Sequence, residues 1–422
     1  MARRSPIYYG WVVLMAAGSS HVARNAAASL TIAVFMFPLS DELGWSRTLI
    51  AGAASLGGLA ATGTSPIVGW LVDKYGAKLV LAVSIFVLGL STISLAWATI
   101  PVAFYLAYAT GRVIFSSSIQ IGASVVVSRW FVRARGRANG LLSLSHSVGM
   151  VGFPLIASLI IASQGWRTAW VVLGLLVWVI ALAPVSLLIA QRPEDVGLLP
   201  DGDRPGDGPT DVDARAMDEP QWTSREAMRT SALWTLAIGT GLLFVMQSGT
   251  NIHVAAYFRD QGLSASIAGL AISFNAAFTG VGSIAWGWIV DKVPARFTLA
   301  GVALVMAVAS VMMVTADTTA EALSYSALFG LGVGGMLVVP PVAYANYFGR
   351  HSLGVIRGLT EPFSSMGQAF GALLSGAIFD ITGSYFIAFI TFAVIGVATM
   401  VVVMLAKPPM HASEVPKRQQ RT

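Results

Sequence analysis

Twelve apolar runs, most of twenty residues or more, follow one another along this 422-residue chain, and charge gathers between them. A helix of that length crosses a hydrocarbon core of about 30 Å. In lipid each backbone N–H and C=O must be bonded within its own segment, so helices are the natural answer. The runs fall at 8–37, 46–72, 78–98, 102–127, 138–163 and 168–190, then at 230–258, 265–290, 297–316, 321–346, 358–381 and 385–406. The expected fold is therefore an all-α membrane protein with twelve transmembrane helices in two six-helix bundles. Only 11% of the residues are charged, against about 25% in an ordinary soluble domain. The apolar run after Met1-Ala2-Arg3-Arg4 is too long for a signal-peptide core, and is expected to be retained as the first span.

With both termini placed in the cytoplasm, 21 of the 26 Lys and Arg residues fall on inner segments. Only Arg47, Arg167 and Arg259 fall outside, while Arg24 and Arg112 lie within spans. That is the positive-inside pattern. The basic pI of about 9.7 thus reads as topology, and nucleic acid is not an expected partner. The expected location is the inner (cytoplasmic) membrane. The chain is expected to divide into bundles at 1–190 and 230–406, joined by a cytoplasmic linker at 191–229 and followed by a tail at 407–422. The linker holds a Pro-, Gly- and Asp-rich stretch from Pro200 to Pro209 that buries too little apolar area to fold, and is read as mobile.

One segment occurs twice. Gly69-Trp70-Leu71-Val72-Asp73-Lys74 returns as Gly287-Trp288-Ile289-Val290-Asp291-Lys292, about half a chain later. A membrane protein whose halves repeat in the same topology is most simply a transporter built from two related bundles. The glycine permits close helix approach. The aspartate, at a helix end, can pair with arginines or with a helix N-terminus. Gly69, Asp73, Lys74, Asp291, Lys292, Arg133 and Arg137 are accordingly candidate gating residues.

At these residues the chain resembles the major facilitator superfamily, whose signature is G-x-x-x-D-[RK]-x-G-[RK]-[RK]. The first copy departs at Ala77, and the second loses the later glycine. Trp130-Phe131-x-Arg133-x-Arg135-Gly136-Arg137-Ala138-x-Gly140, shadowed by Tyr347-Phe348-Gly349-Arg350 and Arg357-Gly358, resembles the monocarboxylate porter group and its bacterial oxalate/formate antiporter branch. So does Leu43-Gly44-Trp45-Ser46-Arg47. Where monocarboxylate carriers have D-x-x-x-R in the eighth helix, this chain aligns Asn275-x3-Thr279. The resemblance implies a rocker-switch transporter whose first, fourth, seventh and tenth helices line the path.

A charge in mid-membrane costs about 2.5–3.5 kcal/mol on the insertion scale, and so points to function. In the first span His21, Arg24, Asn25 and Ala28 have helical spacing. Arg24 reads either as an anion contact or as a buried structural or snorkelling group. In the fourth span Tyr105, Tyr108, Arg112, Ser116 and Gln120 recur at roughly helical intervals. Arg112, at the place of the superfamily's helix-four arginine, reads equally as anchor or substrate contact. Gln247, Asn251, Asn275 and Thr279 are candidate orienting groups or interhelical glue. Glu361, His21, His146 and His253 are the candidate proton carriers, the histidines being also satisfied polar residues. Glu361 is expected toward the cytoplasmic end of its span, leaving no acid near Arg24.

The glycine-rich Gly330–Gly335 stretch follows no strand and lacks the lysine of a phosphate-binding loop, so close packing is its reading. With no cysteine, thiolate metal sites are excluded. No nucleophile–base pair, metal cluster or cofactor motif is evident, so an enzyme is not expected. The reading is a monomeric secondary transporter for a small organic anion, a mono- or dicarboxylate, with protons or a counter-anion as coupling partners and the lipid bilayer as solvent. Its alternatives are an exporter of amphipathic drug-like compounds and a transporter-like receptor without turnover. Without the eighth-helix acid, obligatory proton coupling is not expected.

Overall fold

The computed structural model describes residues 8–203 and 222–410, all helix, turn or irregular, with no strand among them. The first half holds α1 (Tyr9–Ala23), a 3₁₀ turn (Arg24–Ala27), α2 (Ser29–Leu43), α3 (Arg47–Tyr75), α4 (Ala77–Ser94), α5 (Pro101–Val113), a π turn (Ile114–Ser118), α6 (Ile119–Trp130), α7 (Arg135–Val177), a second π turn (Trp178–Leu182) and α8 (Ala183–Leu188). The second half holds α9 (Ser224–Met228), α10 (Ser231–Asp260), α11 (Ala265–Val290), α12 (Ala295–Met313), α13 (Thr319–Phe348), α14 (Leu353–Thr382) and α15 (Tyr385–Leu405).

Side chains at the turns explain several boundaries. Ser46, Thr230, Ser264 and Thr318 each accept the backbone N–H three residues on, which satisfies one of the unpaired donors at a helix start. Thr318 and Glu321 close a reciprocal capping box at the start of α13. Among the described residues, nine helical runs are long and apolar enough to cross a membrane. One of these, Arg135–Leu188, is 54 residues long and is broken at Gly165, whose φ of 84° suits glycine alone. It therefore supplies the fifth and sixth spans. Helices α3 and α14, with 29 and 30 residues, have membrane length but a more polar sequence, and they complete the expected twelve.

The chain forms two compact units. Among the described residues the first takes 8–132, 141–203 and 357–365, and the second takes 133–140, 222–356 and 366–410. Helices α7 and α14 are thus each divided between the two units. Glycine makes this arrangement fit. In the first unit, a methyl group on Gly358 would lie 2.6 Å from the Ser65 carbonyl oxygen and 3.1 Å from the Gly69 Cα. In the second, methyl groups on Gly136 and Gly287 would each collide with the other's carbonyl. The glycine of each repeat is thus the floor on which an incoming helix start rests. The stretch Gly330–Gly335 is close packing as expected: Gly330 lies on the Asn275 backbone, and Gly334 on Thr279 and Ser283.

The expected linker falls partly on 204–221, outside the described residues. Its first part, up to Asp203, is held to the first unit. The Tyr8 hydroxyl donates to the Leu199 carbonyl at 3.2 Å, and Asp201 accepts the Val132 N–H at 3.0 Å. Of the expected tail, residues 411–422 also lie outside the described residues.

Candidate functional site

The first span is not the continuous helix that its spacing predicts. It leaves α-geometry at Arg24, tightens to a 3₁₀ turn and becomes extended at Ala28 (ψ 153°) before α2 begins. The Asn25 carbonyl accepts the Ala28 N–H at 3.1 Å and the Thr31 hydroxyl at 2.6 Å, and the Tyr108 hydroxyl donates to the Ala27 and Ala28 carbonyls at 3.2 and 3.3 Å. His21, Arg24, Asn25 and Ala28 therefore do not share one helical face. Non-helical backbone at membrane depth persists only where protein or a polar path satisfies it.

The fourth span carries the second irregularity. The π turn at Ile114–Ser118 inserts an extra residue and shifts the phase between Arg112 and Gln120. Arg24 Nη1 donates to the Phe115 carbonyl at 3.2 Å and to the Gln120 side-chain oxygen. Its guanidinium lies over the Phe115 ring, 4.6 Å from the centroid, and that of Arg112 lies 4.8 Å from the same centroid. Arg112 also donates to the Ala27 carbonyl at 3.4 Å, at the break in the first span. The Nε atoms of both arginines are buried without a partner among the described residues.

Around this pair stand His21, His146 and Asn25. His21 is buried, and the Asn25 side-chain oxygen lacks a partner among the described residues. Asn25 Nδ2 donates to the His21 carbonyl at 3.0 Å and lies 3.2 Å from His146 Nδ1. The two imidazoles approach edge to face, 6.5 Å between centroids.

One expectation is corrected here. Glu361 belongs to the first unit and lies within electrostatic reach of Arg24. It is buried and ion-paired with Arg357 at 3.1 Å. Its place follows from Gly358, which rests against Ser65 and Gly69 and carries the start of α14 with it. Arg24 is therefore not without a nearby acid.

The remaining candidates lie in the second unit. The Thr279 hydroxyl donates to its own helix at Asn275 O, 2.8 Å, and Asn275 is buried under Gly330. The Gln247 side-chain oxygen has no partner among the described residues, and Asn251 is half-buried. His253 has both ring nitrogens engaged, with the Tyr385 hydroxyl at 3.1 Å and the Ala372 carbonyl at 3.4 Å.

The repeated segment reads differently at its two copies. Asp73 pairs with the buried Arg129 at 3.0 Å. Asp291 accepts the backbone N–H of Gly136 at 2.6 Å and of Arg137 at 3.2 Å, and the Arg137 guanidinium at 3.1 Å. It thereby caps the opening turn of α7, where a carboxylate suits the helix dipole. Burial pushes the Asp291 carboxyl up from its ordinary value, against the pull of those donors. Arg135 donates to the Asn346 side-chain oxygen at 3.0 Å. Neither repeat lysine joins its aspartate. Lys74 lies over Trp70 at 4.4 Å and Lys292 over Trp288 at 3.6 Å, on exposed indoles.

The family model of the Major Facilitator Superfamily matches residues 20–361. The chain belongs to this superfamily. Among relatives it is similar to the oxalate:formate antiporter of Oxalobacter formigenes, 24% identical over 393 residues that cover 88% of this chain and 86% of the relative. It is also similar to an aspyridones efflux protein of Emericella nidulans, 22% identical with 81% and 66% covered. Its fold matches that of a solved proton:xylose symporter with a TM-score of 0.74 at 14% identity, covering 95% of this chain and 96% of that one. A human organic anion transporter matches with a TM-score of 0.69 at 13% identity, covering 93% and 98%. As a Major Facilitator Superfamily member the chain is a multi-pass membrane transporter of small molecules and not an enzyme.

Within this superfamily fold, reasoning from sequence missed Phe115 and the partnership of Asp73 with Arg129. An apolar residue in an apolar span gives no signal, and Arg129 looked like one more inner positive charge. The repeated Trp-x3-Lys spacing, four residues on a helix, was the signal available for the lysine–indole pairs.

Proposed function

We propose that this transporter moves a small organic anion, a mono- or dicarboxylate, as a secondary active carrier working by alternating access. The observation that supports the reading best is the pair of guanidiniums, Arg24 and Arg112, over one phenyl ring. Arg24 interacts with Arg112 and with the carboxylate of Glu361, which is itself paired with Arg357, so positive charge is in excess. A guanidinium remains charged and offers a fork that fits a carboxylate. The name of the oxalate:formate antiporter agrees with this reading. In it Arg24 is the first anchor and Arg112 the second, with Asn25, His21 and Gln120 beside them. Within the second unit Gln247 and Asn251 remain candidate orienting groups, while Thr279 and Asn275 serve packing.

The aspartates Asp73 and Asp291 act on conformation. Each holds a helix end through arginine or backbone donors, and release of those bonds accompanies the change of access. The protein resides in the cytoplasmic membrane as a monomer with both termini inside. Its bundles are 1–190 and 230–406, with a connecting segment at 191–229.

The efflux names among the relatives keep one second reading, an exporter of amphipathic compounds. Uptake by proteoliposomes separates the two. Labelled oxalate, formate and lactate are offered with and without internal carboxylate, and ethidium efflux is followed in parallel. Carboxylate uptake stimulated by internal carboxylate supports the proposal. Ethidium transport without carboxylate uptake replaces it with the second reading.

A further inference from the structure

We infer that Phe115, presented by the π turn of the fourth span, is the residue that positions Arg24 and Arg112 as an anion-binding pair. This inference rests on the anion reading above.

Two guanidiniums, one buried (Arg24) and one half-buried (Arg112), repel each other, and removal from water strengthens the repulsion. Something must hold them close. The two ring distances cap the separation of the guanidinium carbons at about 9.4 Å. The electron-rich face of a phenyl ring attracts cations, more strongly where water is excluded. Phe115 offers that attraction to both groups at once. Its edge also meets His146, 5.9 Å between centroids, so the ring is itself held in place.

The π turn adds a second hold. There the Phe115 carbonyl accepts Arg24 Nη1 at 3.2 Å. Beyond the turn, Gln120 receives the same nitrogen. Arg112 is fixed separately, by the Ala27 carbonyl and by Gly57, where an added methyl would lie 2.5 Å from the Arg112 Cβ. The bonds thus restrain each arginine at Nη1, while each Nε–H has no protein partner among the described residues. An Nε–H together with an Nη–H is the edge that takes a carboxylate in two parallel bonds. Phe115 keeps that edge of both arginines in one site without using it.

Leucine at position 115 keeps apolar bulk and removes the ring face. Pentafluorophenylalanine at the same position keeps the shape and inverts the charge of the face. The reconstituted full-length protein and both variants are treated with phenylglyoxal, which labels accessible arginine, and labelling at Arg24 and Arg112 is followed by peptide mass spectrometry. Phe115→Leu should raise the labelling rate of both by about tenfold, the scale of desolvated cation–π contacts. The fluorinated variant should follow Phe115→Leu, not the wild type. Oxalate, formate and lactate are then tested for protection of the wild type.

Unchanged labelling in both variants overturns the inference. So does a fluorinated variant that behaves as wild type, because shape alone then suffices. Altered labelling with no protection by any of the three anions leaves the role of Phe115 standing and sinks the anion reading instead. Protection of the wild type that weakens about tenfold in Phe115→Leu supports both.

Discussion

Asp291 accepts the backbone N–H of Gly136 at 2.6 Å, so a carboxylate at the end of one helix caps the start of another. The two residues lie 155 apart in the chain, and Gly287 makes their approach possible. Half-exposed Arg137 adds an ion pair worth about 0–1 kcal/mol. The backbone bonds are thus the more consequential part of the latch.

Asp291→Asn should leave stability nearly unchanged while altering turnover. The folded protein raises the Asp291 pKa through burial. The stabilising contribution of this group is therefore full below its ordinary value and lost as pH rises through the higher folded value. At neutral pH the ionised carboxyl contributes little net stability, and asparagine can still accept the Gly136 N–H. The melting temperature should move by no more than a few degrees. Exchange measured against pH should differ between wild type and Asp291→Asn on the neutral side and converge on the acid side, where Asp291 is itself neutral. Parallel profiles across the whole range would remove Asp291 titration from the gating account.

Asp73→Asn should slow turnover and shift the conformational balance, with equilibrium anion affinity changed less than threefold. Asp73 is bonded to Arg129 at a helix end, and Arg129 is not part of the Arg24 and Arg112 pair. Binding by scintillation proximity, set beside transport rate, separates the two effects. A loss of affinity that accounts for the whole loss of transport would contradict this assignment.

Arg24→Ala should abolish carboxylate transport while the protein still inserts and remains monodisperse. Arg24→Lys should recover little, because an ammonium cannot bond the Phe115 carbonyl, the Gln120 oxygen and an anion in the same geometry. The expected loss of affinity is about 10²-fold, matching a charged hydrogen bond of roughly 1.5–3 kcal/mol. Wild-type affinity in Arg24→Ala would remove this arginine from the substrate site.

A pH step alone should drive no uphill accumulation. Glu361 is the acid nearest to Arg24 in electrostatic terms, but it is already tied to Arg357 at 3.1 Å. A carboxylate committed to a structural pair is poorly placed to load and release a proton in each cycle. Uptake at zero membrane potential, with the outside stepped acidic, tests this. Strong accumulation that disappears in Glu361→Gln would make the protein a proton-coupled carrier.

The twelve spans were legible because apolar length is a one-dimensional signal. Arg24 and Arg112 were legible because charge inside an apolar run is rare. The break at Ala28 was not, since alanine favours helix and nothing in Arg24-Asn25-Ala26-Ala27-Ala28 announces a turn. Tyr108 and Arg112, from a distant segment, stabilise it together with the nearby Thr31. The π turn hid Phe115 in the same way, because counting by helical period assumes no inserted residue. The electrostatic link between Glu361 and Arg24 was not legible, because it joins segments far apart in the chain, as does the contact of Gly358 with Ser65 and Gly69.

The interrupted first span also bears on how the protein is made. Its two helices have 15 residues each and are about 22 Å long, too short for either to cross the bilayer alone. Between them the Ala27 carbonyl is bonded by Tyr108 and Arg112, which are synthesised some eighty residues later. The nascent first span must therefore wait, sheltered at the insertion machinery or wetted by it, until the fourth emerges. Truncated chains ending before Pro101 should remain extractable where longer ones do not.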